Sequence, residues 1–439
     1  MKICPALPPC TCHRHQTRSY VVCSSVRNVS TLSAAIPRAK SDNLPWIRIV
    51  DSNIPWLHSR AFGGLRAQSL QINASNLTNI TSDAFIGLEN LEALALQDNL
   101  LYSIPAASLR RLVDLKLLSF AGNRIGSVSN EDLISLINLR YLSLSENIID
   151  QIETGSFPPS LLHLALAKNQ LESLDNVVAD LPLLEWLLLS NNKLHTLEMH
   201  QFKSLPSLRK LILTNNQLEM IEGAFDGLTK LRELMLNNNK IRSVEDVFHF
   251  MPDLRDIGLA RNQITHLAYL GDLPMLNDID LSENGMENVL VDAFEKTPGI
   301  TRLNLSDNAF VQFPADALSP LASLVTLDLS RNKLESPIYI TQLRLPTLKY
   351  LSLSGNKLIS LPDNLFDSFP SLQELDVTFN LLTTFDRFTQ FPLKILHLQG
   401  NPLRCDLNTM RALDEMEVQL TDRPLCTNAV LPISQEETN

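Results

Sequence analysis

Cysteine is confined to the two ends of this 439-residue chain: Cys4, Cys10, Cys12 and Cys23, then Cys405 and Cys426, with none between. An even count at the ends points to disulfide staples made in an oxidising compartment rather than to reactive thiols. In CTCHRH, Cys10, Cys12, His13 and His15 offer a metal site as the alternative, although paired zinc thiols are usually spaced more widely. Glycine is scarce, at 14 residues, which leaves little material for loops that cradle phosphates. No nucleophile elbow, phosphate loop, paired carboxylates or ligand spacing stands out, so the sequence predicts no enzyme, no cofactor and no metal. Basic charge is in deficit, with a net charge of -11. That argues against nucleic acid and anionic membrane surfaces as partners. The longest apolar run, LPLLEWLLL, is broken by Glu185, so no membrane span is expected in this chain. Met1 and Lys2 lead straight into the cysteine cluster without an apolar leader. The expectation of an extracellular protein, secreted or on a cell surface, therefore rests on the cysteines.

What the chain has in abundance is one beat, L-x-x-L-x-L-x-x-N-x-L. In LEWLLLSNNKLHTL it is carried by Leu184, Leu187, Leu189, Asn192 and Leu194. It returns from Asn99 to Asn401 every 21 to 24 residues, and two weaker copies precede it around Ile47, Ile49, Ser52 and Ile54 and around Leu70, Ile72, Ser75 and Leu77. A fixed period of this length means stacked turns that share one core instead of two or three domains. Alternation within LxxLxL sends the leucines to one side and the intervening letters to the other. The asparagine turns inward to satisfy backbone groups freed where the chain leaves the strand. Phe62, Phe85, Phe202, Phe225, Phe248, Phe294 and Phe366 recur in the second half of the unit and are expected in the core.

With ITSDAFIGL, IEGAFDGL and VLVDAFEKT as second halves, the chain resembles the extracellular class of leucine-rich repeat proteins over residues 44–403. The resemblance implies an α/β solenoid, a right-handed horseshoe whose concave side is a parallel sheet of about sixteen strands, on the order of 70 Å along its arc. It implies a cysteine cap over residues 1–43, with Cys4 joined to Cys12 and Cys10 to Cys23, where the residues alone leave three pairings open. NPLRCDL resembles the second cap, over residues 404–439, with Cys405 joined to Cys426 and Leu407 standing where another cysteine is usual. The irregular early repeats are similar to the non-catalytic subunit of a shrimp luciferase. The regular middle is similar to the serum acid-labile subunit, chaoptin and Toll ectodomains.

The outward letters carry the functional reading. One column runs Tyr141, His163, Trp186, Lys210, Glu233, Asp256 and Asp278, and the next runs Ala165, Leu188, Ile212, Met235, Gly258, Asp280, Asn304 and Asp328. Apolar letters gather first and acidic ones follow. A contiguous apolar patch on a water-facing sheet marks an interaction surface, and Trp, Tyr, Met and Arg are enriched there. Tyr141, Trp186, Leu188, Ile212 and Met235, with Arg209, Arg232 and Arg255 beside them, are the predicted contacts with a protein ligand. The alternative is a structural or stabilising subunit of a secreted complex, its partner a co-subunit. Two motifs are decoys. DIDLSEN lacks the glycine turn and late glutamate of a calcium loop, and His195 and His200 in HTLEMH miss zinc-protease spacing. Sequons stand at Asn28, Asn73, Asn76, Asn79 and Asn304, which makes these the candidate glycosylation sites.

Overall fold

The computed structural model describes residues 8–15, 18–32, 36, 45–175, 177–249, 251–336, 343–362, 364–384, 393–404 and 419–420. The chain divides into two compact units, Met1–Leu218 with Ala224–Glu233, and Glu219–Gly223 with Leu234–Asn439. Each is a parallel-strand solenoid.

In the first unit the hairpin Cys10–His15 and Arg18–Ser24 is antiparallel, and its second strand pairs in parallel with Trp46–Val50. Ser69–Ile72, Ala93–Ala95, Leu117–Ser119, Tyr141–Ser143, His163–Ala165, Trp186–Leu188 and Lys210–Ile212 follow, each in parallel register with the one before. The second unit repeats the scheme from Asp256–Gly258 through Asp278–Asp280, Arg302–Asn304, Thr326–Asp328, Tyr350–Ser352 and Glu374–Asp376 to Ile395–His397. The strands are short because only the xLx letters alternate. Away from the sheet the connections are turns, pairs of two-residue strands and, among the described residues, helices of a single turn at Ala106–Leu109, Ala315–Leu318 and Leu365–Ser368.

Burial follows the beat. Leu184, Leu187, Leu189 and Leu194 have no accessible surface, and each such side chain contributes about 1.5 to 3 kcal/mol relative to exposure. The seven phenylalanines predicted inside are all buried, and Phe62–Phe85 and Phe202–Phe225 stack with centroids 6.0 and 5.8 Å apart. The asparagine column is a hydrogen-bond ladder. Asn147 Oδ1 accepts the Ile125 N–H at 3.0 Å, while its Nδ2 donates to the carbonyls of Phe120 at 3.0 Å and Leu144 at 2.9 Å. Asn332 does the same in the second unit, between the Phe310 N–H and the Leu305 and Leu329 carbonyls. In the first weak early repeat serine does the work with a shorter reach: Ser52 Oγ accepts the Val26 N–H and donates to the Val50 carbonyl, whereas Ser75 in the second donates its hydroxyl to the Asn73 carbonyl and takes the Ile54 N–H on its own backbone carbonyl.

One feature of the turn goes beyond the pattern. The residue before the ladder asparagine is left-handed, as at Asp98, Glu146, Lys168, Asn191, Asn215, Arg261 and Arg331, all with φ between 53° and 58°. Side chains disfavour that conformation, and the packed ladder beside them holds it. Gly122 fills the same place beside Asp98, where a Cβ would come within 3.2 Å of the Asp98 backbone.

At the amino-terminal end Cys10 and Cys23 form a disulfide, as the resemblance implies. Cys10 is therefore no metal ligand. Cys12 is also disulfide-bonded. Cys4, Cys405 and Cys426 lie outside the described residues, as does most of the segment 404–439.

Candidate interaction face

The open face of the first unit's sheet is built by register. Tyr141, His163 and Trp186 are direct lateral partners on successive strands, so their rings rise side by side. The His163 ring meets Tyr141 edge-on, with centroids 4.6 Å apart and planes at 88°, and stacks on Trp186 at 4.1 Å and 6°. The result is a three-ring ladder. Tyr141 and Trp186 remain 42% and 43% exposed, enough for a partner to bury. Leu117, 39% exposed, is the register partner of Tyr141 and extends the ladder at its early end. Leu188 and Ile212 are half-buried neighbours in the adjoining column, partnered with each other and, through Leu188, with Ala165.

Burial among these rings pushes the His163 pKa below its ordinary value, and the nearby Glu185 carboxylate opposes the shift without cancelling it. The imidazole is thus a neutral ring at pH 7 and packs as an aromatic. Charges border the ladder in pairs: Lys210 Nζ lies 2.7 Å from Glu233, Lys116 3.1 Å from Glu92, and Arg209 3.9 Å from Glu185. The face offers rings, indole N–H and phenol O–H to a partner and keeps its cations engaged.

Of the residues predicted from sequence, the structure brings Tyr141, Trp186, Leu188 and Ile212 together in the first unit, with Arg209 and the exposed Arg232 on the approaches to its strands. Met235 and Arg255 belong to the second unit. There Met235 leans over Gly258, whose Cβ would sit 2.7 Å from its sulfur, and Arg255 is exposed. Sequence reasoning placed His163 in the column but not among the contacts; its position between Tyr141 and Trp186 was the available signal. It also missed Val113, Ile134, Ile137 and Leu183, which are 44%, 71%, 67% and 44% exposed on the segments leading into the strands.

The acidic continuation of the column, in the second unit, is less free than its letters suggest. Asp280, Asn304 and Asp328 each turn Oδ1 onto the backbone N–H two residues ahead, at 3.0, 3.1 and 2.8 Å. They close the turn that leaves the strand. Asp278 is paired with Arg302 at 2.6 Å. DIDLSEN is accordingly a repeat segment whose first two aspartates are already engaged. Among the described residues no three His, Cys, Asp or Glu side chains gather in a group that could hold a metal ion, and no helix is long and apolar enough to cross a membrane. Of the sequons, Asn28, Asn76 and Asn79 are exposed while Asn73 and Asn304 are half-buried on the open faces.

Comparison with known proteins is consistent with this geometry. A family model described as leucine rich repeat matches residues 65–125, 137–194, 182–241, 219–264, 229–286, 274–334 and 346–403. No curated protein matches the chain. Among solved structures it is similar to a leucine-rich repeat protein of Leptospira interrogans, with 27% identity and a TM-score of 0.66 over 81% of this chain and 95% of that one. It is also similar to TLR13 in its complex with a single-stranded RNA, with 26% identity and a TM-score of 0.69 over 92% of this chain and 57% of that one. A third likeness is to Toll of Drosophila in complex with Spatzle, with 20% identity and a TM-score of 0.66 over 95% of this chain and 58% of that one. The chain thus spans less than two thirds of the TLR13 and Toll chains.

Proposed function

Since the chain belongs to the leucine-rich repeat family, whose sheets are typical protein-interaction modules, we propose that it is a non-enzymatic, extracellular recognition module that binds a protein partner through the open face of its first unit. The observation that carries this reading is the Tyr141–His163–Trp186 ladder, three adjoining rings left half-exposed beside Leu117, Leu188 and Ile212 and bordered by paired charges. Aromatic anchors of this kind are frequent hot spots. TLR13 is seen with RNA, but a net charge of -11 and ion-paired cations beside the ladder give this chain little to hold a polyanion. A second reading, a structural subunit that assembles through another surface, is favoured by the exposed Ile134 and Ile137.

The test begins with a pull-down from the native extracellular fluid, identified by mass spectrometry, followed by surface plasmon resonance. Trp186→Ala and Ile212→Glu each weaken binding by about 30-fold, the scale of a 2 kcal/mol hot spot, with circular dichroism melts near wild type. If both bind normally while Ile134→Ser with Ile137→Ser abolishes the interaction, the open face is not the site and the assembly reading replaces it.

A further inference from the structure

A second exposed indole lies far from the ladder in sequence. The strands Trp56–Leu57 and Asn79–Ile80 form a small parallel sheet of their own in the first unit, with Trp56 in register with Asn79 and Leu57 with Ile80. Leu57 is fully buried, whereas Trp56 is 50% exposed and Asn79 is exposed. Strand alternation therefore puts Trp56 and Asn79 side by side on the outward face, about 4.8 Å apart along the sheet. The indole stacks on His58 at 5.6 Å and 12°. Among the described residues neither the Trp56 indole N–H nor the Asn79 side-chain amide has a hydrogen-bond partner. Asn79 opens the sequon Asn79-Ile80-Thr81. Thr81 is held down by its hydroxyl, which donates to the Leu57 carbonyl at 3.2 Å.

We propose that Trp56, steadied by His58, is a seat for the chain's own N-linked glycan carried on Asn79. The first sugar, an N-acetylhexosamine, has one face of C–H groups suited to an electron-rich ring and an acetamido group that can accept from the indole N–H. The transfer forms a bond from Asn79 Nδ2 to the anomeric carbon of an oligosaccharide activated as its lipid-linked diphosphate. The C–O bond to the diphosphate breaks, the diphosphate leaves with the electron pair, and one amide proton passes to the transferase's base. The glycan then covers an apolar side chain that the fold leaves in water, so this indole is not a partner-binding anchor. Asn28 supplies the internal comparison, because it borders a cavity of about 390 Å³ that Trp56 and His58 also line, without being their strand neighbour. The proposal rests on the extracellular reading above, since the donor is met only on the secretory route.

The full chain is secreted from insect cells behind an added leader, in a Trp46→Phe, Trp186→Phe background that leaves Trp56 as the sole indole. Glycopeptide mass spectrometry reads occupancy at each sequon, and acrylamide quenching reads exposure of Trp56. Asn79 is occupied, and Asn79→Gln raises the quenching constant about twofold as the ring is uncovered, while Asn28→Gln leaves it unchanged. A bare Asn79 on a chain glycosylated elsewhere overturns the seat, and so does equal quenching with and without the Asn79 glycan. Neither result touches the partner-binding reading, whose assay needs no glycan. Native protein with no glycan at any sequon, recovered from cytosol, overturns the extracellular reading and this proposal with it.

Discussion

Replacing Asn147 by alanine isolates what the ladder contributes, because every bond the amide makes is accounted for. Its Oδ1 accepts from Ile125, and its Nδ2 donates to Phe120, Leu144 and, at 3.1 Å, Ser145. The three carbonyls each keep another donor: Asn123 Nδ2 on Phe120, Asn169 Nδ2 on Leu144, and the Gly122 N–H on Ser145. The Ile125 N–H keeps none, and Ile125 is fully buried. The loss is thus one orphaned buried donor, about 1 to 3 kcal/mol, rather than four hydrogen bonds. Asn147→Asp separates the two halves of the amide. The new carboxylate still accepts from Ile125 but turns a second oxygen onto carbonyls about 3 Å away, so its folded pKa rises above the unfolded value of about 3.9. That variant is less stable than Asn147→Ala near pH 7 and gains stability as the pH falls through the raised pKa, where the acid becomes a donor. The comparison is Glu146→Gln, which breaks only an exposed ion pair to Lys168 and costs less than about 1 kcal/mol. Urea unfolding of the full chain, followed by circular dichroism at pH 7 and pH 4.5, reads all three. If Asn147→Ala and Glu146→Gln cost the same, the ladder carries no more stability than a surface charge and the reasoning fails.

The remaining predictions concern the sheet face. His163 has a folded pKa below its usual 6.5, so the unfolded chain takes up the proton first and stability falls as pH drops through 6.5, levelling off below the folded pKa. His163→Phe, which keeps a ring and removes the proton, flattens that part of the melting-temperature curve; an unchanged slope would show that His163 is not its source. Asp328, which the sequence places in the outward column, is the acceptor for the Ser330 N–H. Asp328→Ala therefore costs about 1 kcal/mol in urea while Asp328→Asn is nearly silent, and the opposite order would mean that charge rather than turn closure is what matters.

The sequence by itself determined the architecture, because every repeat repeats the same physical instruction. The LxL of the beat buries its two leucines on one side by alternating in a strand, and a turn of 21 to 24 residues can bury them only against its neighbours. The inward asparagines and the seven phenylalanines follow from that instruction, while the Cys10–Cys23 pairing is what the resemblance alone implies. So does the gathering of Tyr141, Trp186, Leu188 and Ile212 on one face, since equivalent letters in stacked repeats must be lateral neighbours. Only the tertiary structure decided what those letters do once they are neighbours. The His163 ring chose to stack on Trp186 because a rotamer, not a spacing, sets the plane of a ring. Asp280 and Asp328 turned back onto their own chain because the turn that leaves the strand presents the Ser282 and Ser330 N–H groups to their carboxylates. Trp56 met Asn79 because a two-residue strand outside the leucine beat paired with its counterpart 23 residues on. Period predicts which residues lie side by side; side-chain torsion and local hydrogen-bond competition decide which of them remain open to a partner, and no period encodes those.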